Sequence, residues 1–219
     1  MMFRFVWLFV CYFWLSSCVH TNIKNNSKKV DIKKGFGIII SGPSGVGKTT
    51  IVKELLKKHP NDLVATISAT TRQPRAGEIN GVDYFFIDKN KFKELASKDE
   101  FIEYAENYNH YYGSPSRNYI EAVEAGKTPI FVLSVDGMLS AKKKKNMKFI
   151  TIFVKTSNEK DLYNRLLNRG TETKAQILNR FNMAKKELEE AEKYDYIVYN
   201  DNLERAVKMI DAIYKSFSR

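Results

Sequence analysis

A chain of 219 residues, 43% apolar and 28% charged, can build one full domain with a sizeable core. Its two cysteines, Cys11 and Cys18, both fall in the N-terminal stretch, which excludes a disulfide framework or a cysteine-held zinc from the body. The net charge of +11 invites a nucleic-acid reading, but residues 1–34 hold +5 of it (six basic side chains against Asp31), and no base-reading motif accompanies the rest, so no nucleic-acid partner is expected.

The chain opens with eleven consecutive apolar residues, Phe5 to Leu15, after Arg4. That run is short of the ~20 residues of a membrane span and resembles the n- and h-regions of a secretory signal. Leu15-Ser16-Ser17-Cys18 resembles a bacterial lipoprotein cleavage box, and His20 to Lys34 is Lys/Asn-rich without periodicity. Three readings stand: a cleaved export or lipidation signal, an organelle-targeting leader, or an upstream start codon. Residues 1–34 are read as a dispensable leader, without stable membrane association of the body.

From Gly35 strand-like and helix-like runs alternate, which predicts an α/β fold with a largely parallel sheet. Phe36–Ile40 is a β-branched run between glycines and reads as the first strand. Gly42-Pro43-Ser44-Gly45-Val46-Gly47-Lys48-Thr49 follows and satisfies G-x-x-x-x-G-K-[ST] between a strand and a helix. Gly42, Gly45 and Gly47 allow a curled backbone whose N–H groups point at an anion. The helix over Thr49–Lys58 adds its N-terminal partial charge. Lys48 can reach β- and γ-phosphates and the Thr49 hydroxyl can hold Mg²⁺. The motif predicts a nucleoside triphosphate site over residues 42–50, Thr50 included, but no reaction.

Residues 67–117 differ from the rest: Arg- and Tyr-rich, with Gly77, Gly81 and Gly113 marking turns, they read as an inserted lobe. Thr128–Val135 and Phe149–Val154 are continuous apolar runs, as expected of strands covered on both faces. Lys142–Lys145 between them reads as a solvated loop. Leu162–Leu167, Lys174–Glu192 and Asn202–Phe217 read as helices, and Tyr196–Tyr199 as a last strand.

The stretch from Ile67 to Tyr84, ISATTRQPRAGEINGVDY, closely resembles the guanylate kinase signature S-x-T-T-R-x-P-R-x-G-E-x-x-G-x-D-Y. Phe101-Ile102-Glu103-Tyr104-Ala105, Tyr111-Tyr112-Gly113-Ser114, the lid pattern of Arg165, Arg169-Gly170-Thr171-Glu172 and Arg180, and Asn200-Asp201 follow in the family's order. The resemblance runs over residues 35–219. It implies a P-loop three-layer α/β fold with a core (35–66, 118–159 and 191–219), a GMP-binding lobe (67–117) and a helical lid (160–190).

The implied activity is transfer of the γ-phosphoryl group of ATP to GMP and dGMP, with Mg²⁺, in purine nucleotide metabolism. The protein would be cytoplasmic, unless the leader exports or targets it, and a monomer or homodimer. Arg72 and Arg75 are planar forks suited to a phosphate, and the resemblance places them on that of GMP, with Tyr84 and Tyr112. A carboxylate accepts from guanine N1–H and N2–H₂ and would meet an acceptor at adenine N1. Glu103 matches that carboxylate, Ser114 the hydroxyl pairing with O6, and Ser68, Gly113 and Ser134 are further GMP-side positions. Asn200 falls on the ATP side. Lys48, Arg72, Arg165, Arg169 and Arg180 would surround the travelling phosphoryl.

The family pattern D-x-D-x-Q-G reads here Val132-Leu133-Ser134-Val135-Asp136-Gly137. Val132 and Ser134 stand where two aspartates are expected, leaving Ser134 as a hydrogen-bonding substitute and Asp136 as the nearest acid. Lys155-Thr156-Ser157 likewise replaces P-P-S. The competing reading is an interaction module of the same fold, but such modules lose the phosphate loop. A GTPase would carry N-K-x-D, which Asn90-Lys91-Phe92-Lys93 does not satisfy.

Overall fold

The computed structural model describes residues 35–107, 109–168 and 174–218, so the expected leader lies outside the described residues. β1 (Gly37–Ser41) is buried throughout and leads through the phosphate loop into α1 (Lys48–Lys58) and β2 (Leu63–Ala65). The intervening lobe follows: β3 (Ala69–Thr70), β4 (Phe85–Phe86), α2 (Lys89–Ser97), β5 (Phe101–Asn107) and β6 (His110–Pro115). The chain returns through α3 (Ser116–Glu124) to β7 (Thr128–Val132), α4 (Val135–Lys142) and β8 (Phe149–Lys155). It ends with α5 (Glu159–Leu167), α6 (Lys174–Glu189), a single 3₁₀ turn (Ala191–Lys193), β9 (Tyr196–Tyr199) and α7 (Leu203–Phe217).

The main sheet has the order β2-β7-β1-β8-β9, and every pairing in it is parallel. Strand alternation divides the core into two layers. Ile38, Ile40, Ile152 and Val154 pack with Ile51 and Leu55 of α1 and Ile210 of α7. Ile39, Phe131 and Phe153 face the other way, against Tyr119 of α3 and Met138 of α4. The result is the helix–sheet–helix sandwich the sequence predicts, with β1 at its centre.

Several boundaries differ from the sequence reading. The apolar run Thr128–Val135 is not one strand: β7 ends at Val132, and Ser134 caps α4, its Oγ accepting from the Gly137 N–H at 3.1 Å. Hydrophobicity alone cannot separate these states, because buried apolar residues (Phe131, Leu133 and Val135) continue without a break from the strand into the first turn of α4. Lys142, expected in a loop, is therefore the last residue of α4. The helix expected over Lys174–Glu192 stops at Glu189.

The second sheet, β4-β3-β6-β5, pairs Thr70 with both Phe86 and Tyr112, Tyr112 with Ala105, and Ser114 with Glu103. Partners directly opposite share a face, so Thr70, Phe86, Tyr112, Ser114 and Glu103 line one side. The other side carries Ala69, Phe85 and Phe101, packed with Phe92 of α2 in a small aromatic core. A bulge between Phe101 and Glu103 absorbs one extra residue, and Ile102 packs into the main core beside Met138.

Candidate active site

The phosphate loop leaves the carboxyl end of β1, where open α/β sheets collect ligands. Gly42, Gly45 and Gly47 have φ of 139°, 90° and 99°, a region that favours glycine. A Cβ on Gly42 would lie 2.1 Å from the Val154 carbonyl oxygen, and one on Gly47 would lie 2.5 Å from Asn200 Nδ2. The loop is therefore wedged against β8 and the end of β9. Asn200 Nδ2 donates to the Val46 carbonyl at 2.7 Å, and Arg165 donates to the same carbonyl (3.3 Å) and to that of Asn200 (2.7 Å). Val46 is fully buried, and its side chain anchors the loop in the hydrophobic core.

Lys48 starts α1 and folds back, its Nζ donating to the Gly42 carbonyl at 2.5 Å and that of Pro43 at 3.0 Å. Thr49 and Thr50, in the same first turn, are exposed. From α6, Arg180 Nη1 donates to Ser44 Oγ at 3.0 Å, which brings that helix onto the loop. Glu187 of α6 is a neighbour that motif reading does not single out. Burial pushes its carboxyl up, and the charge of Lys48 opposes that shift. Arg169 lies outside the described residues.

On the lobe, Glu103 is half-buried, and Ser114 Oγ donates to its Oε1 at 2.9 Å. Burial pushes the Glu103 carboxyl up from the ordinary range, and the hydrogen bonds from Ser114 offset part of the shift. A Cβ on Gly137 would lie 3.2 Å from Glu103 Oε2, so glycine in the first turn of α4 makes room for this carboxylate. That contact brings the lobe to the carboxyl end of β7, next to β1 and its loop. Ser134, expected to face GMP, is exposed and spends its hydroxyl as an acceptor in capping α4. Val132 and Asp136 are exposed on the same rim.

Arg72 lies over the polar face of the lobe, its guanidinium carbon 5.0 Å from the Tyr84 ring centre and 5.5 Å from that of Phe86. Tyr84 is 6.2 Å from Tyr112, so three of the expected phosphate-side residues meet. Arg75 is exposed, in the turn just beyond. Ser68 precedes β3 and gives its carbonyl to the Phe85 N–H. Gly113 faces the aromatic core instead: a Cβ there would lie 2.9 Å from Phe101 and Tyr104, so only its main chain could serve a ligand.

Comparison with known proteins identifies the family. The guanylate kinase family model matches residues 34–216. A guanylate kinase of Clostridium perfringens (strain 13 / Type A) is 44% identical over 180 residues, 82% of each chain. One of Caldanaerobacter subterraneus subsp. tengcongensis is 44% identical over 181 residues, 83% of this chain and 87% of its own. The crystal structure of guanylate kinase from Anaplasma phagocytophilum superposes with a TM-score of 0.65 at 28% identity, covering 83% of this chain and 85% of that one. The chain belongs to the guanylate kinase family.

Proposed function

We propose that this chain transfers the γ-phosphoryl group of ATP to GMP, with the residues above in the following roles. The observation that carries the assignment is the meeting of two unlike sites at one end of the sheet: a complete phosphate loop, and a half-buried carboxylate paired with a serine hydroxyl. The loop amides and Lys48 hold the triphosphate. Glu103 accepts from guanine N1–H and N2–H₂, while Ser114 and Ser68 complete the base contacts. Arg72, Arg75, Tyr84 and Tyr112 hold the acceptor phosphate. One of its oxygens attacks the γ-phosphorus, the bond to the β,γ-bridging oxygen breaks, and the electron pair leaves with ADP. An ionised phosphate needs no general base, so alignment and charge neutralisation carry the catalysis.

Lys48, Arg180, Arg165 and Arg169 supply that neutralisation in our reading, with α5 and α6 as a lid that excludes water. Mg²⁺ suits the donor set, because it takes phosphate oxygens and one or two protein oxygens while keeping several waters. The exposed Thr49 hydroxyl in the first turn of α1 is the protein oxygen that would hold it, and it would further neutralise the phosphates. The cytoplasm, where ATP and GMP are supplied, is the compartment that fits. Among the described residues no helix is long and apolar enough to cross a membrane.

A coupled ATP-dependent assay across GMP, AMP, CMP and UMP tests the reading. GMP should be the preferred acceptor by a wide margin. Equal turnover of AMP would remove Glu103 from its role, and no turnover of any nucleotide would favour the interaction module.

A further inference from the structure

Among the charged groups outside the roles above, Glu78 has the most complete geometry. Its two carboxylate oxygens accept from Arg72 Nη1 and Nη2, both at 2.6 Å. Oε2 also accepts from the Arg75 main-chain N–H at 2.7 Å, and the Glu78 N–H returns to the Arg75 carbonyl at 3.0 Å. One carboxylate thus ties the guanidinium of Arg72 to the turn that carries Arg75. The pair is well shielded for a surface turn, with side chains 10% and 20% exposed. Hydrogen bonds from Arg72 and then Arg75 hold the Glu78 carboxyl down at about 2, so it stays ionised at any working pH.

A guanidinium has five N–H donors on a rigid plane. Glu78 takes the edge formed by Nη1 and Nη2, and the remaining Nη1 hydrogen goes to the Gln73 carbonyl at 2.9 Å. That leaves the Nε–H and the outer Nη2–H, a second parallel pair, with no acceptor among the described residues. Tyr84 and Phe86 fix the plane of the group. We propose that Glu78 is a positioning residue: it locks Arg72 so that its Nε/Nη2 edge is presented, already oriented, to the acceptor phosphate. The inference rests on the reading of Arg72 as a GMP-phosphate ligand. An unpaired arginine would have to surrender several rotamers on binding, and pre-organisation removes that cost.

The test measures GMP KM, ATP KM, kcat and Tm on the full chain for Arg72→Ala, Glu78→Ala, Glu78→Gln and the Arg72→Ala/Glu78→Ala double variant. Arg72→Ala and Glu78→Ala should each raise GMP KM about tenfold, the size expected for one charge-assisted hydrogen-bond set. ATP KM should move less than about twofold, and in the Arg72→Ala background the second substitution should add less than about twofold, because Glu78 acts through Arg72. Glu78→Gln keeps the shape and supplies the same comparison if the alanine variant does not fold. A lower GMP KM would show that Glu78 competes with phosphate, and full additivity or a fall in Tm alone would show a structural brace; each overturns the proposal. Arg72→Ala without effect on GMP KM would overturn the phosphate reading beneath it.

Discussion

The phosphate loop and the nucleotide lobe are built on opposite plans. The loop is made of main chain: its glycines are pressed against the Val154 carbonyl and Asn200, and the groups around it brace its carbonyls. The lobe is made of side chains, set by register on a four-stranded sheet with a small aromatic core of its own. A main-chain site depends on a few φ angles and on what stands behind them. A side-chain site depends on pairings such as Ser114 with Glu103 and Arg72 with Glu78. The two should therefore fail differently when altered.

The largest expected effect is on the loop side. Lys48→Ala removes a charge needed most in the transition state and should lower kcat about a hundredfold to a thousandfold. The fold should survive, since Lys48 belongs to neither of the hydrophobic layers that flank the main sheet. Steady-state kinetics beside a thermal melt checks both, and an unchanged kcat would sink the phosphoryl-transfer role.

Glu103→Gln attacks the lobe side. It should lower kcat/KM for GMP about ten- to a hundredfold, as expected when a site loses one member of a charged hydrogen-bond set, and leave the ATP KM alone. Stability should move the other way. Burial raises the Glu103 carboxyl, so its charge opposes folding once the pH is above the folded value. Glutamine removes that opposition, so Tm at neutral pH should rise. The same shift means that GMP affinity in the parent should fall as the pH drops through the raised value, because protonation removes the acceptor. A Tm that falls together with the affinity would show Glu103 to be a structural carboxylate.

These two plans also explain what could be read in advance. The loop was legible because glycine, lysine and threonine at fixed spacing state a backbone conformation directly. The parallel sheet was legible from apolar runs such as Phe149–Val154, which falls within β8. The start of α4 was hidden, because Leu133 and Val135 continue the hydrophobic run of β7 while Ser134 turns the chain. Glu78 stood inside the quoted motif, but nothing in its spacing says that it pairs with Arg72. Likewise Ile102 and Glu103 depend on a bulge, a single unpaired residue that leaves no mark in strand periodicity. Side-chain pairings are three-dimensional facts, and the sequence supplies them only through resemblance.

A stability probe separates anchoring of the loop from its chemistry. α1 carries Lys48 at its start and is tied down at its far end, where Asp211 of α7 accepts from Lys58 (2.5 Å), from Lys215 (3.1 Å) and pairs with His59 Nε2 (2.6 Å). Burial works against this charge, yet Lys58, His59 and Lys215 outweigh it and hold the carboxyl at about 2. The folded value lies below the unfolded one of about 3.9, so the contribution is present above pH ~4 and lost as pH falls towards 2. Asp211→Asn should cost about 1–3 kcal/mol at neutral pH, or roughly 2–12 °C in Tm for a chain of this size. Melts from pH 7 to pH 3 should show the gap closing, with GMP KM the same in variant and parent at each pH. A gap independent of pH would remove the charge from the explanation.

The smallest effect concerns the rim between the two regions, where Val132 and Ser134 replace the acids of the family pattern. Ser134 caps α4, and aspartate caps a helix as well as serine does, so Ser134→Asp should keep that helix intact. Asp136 is exposed in the same first turn, where helix polarity favours a negative charge. If Asp136 has taken over the missing acid's contact with the nucleotide, a second carboxylate beside it adds repulsion and gives no gain. Asp136→Ala should then lower kcat/KM for GMP about threefold to fivefold in the parent, the scale of an exposed charge contact. Beside Ser134→Asp the same change should cost less than about twofold, since the restored acid covers the loss. Measuring the four proteins of this cycle on GMP, with Tm as control, decides it: equal losses in both backgrounds would mean that Asp136 and Ser134 act independently and that takeover has not occurred.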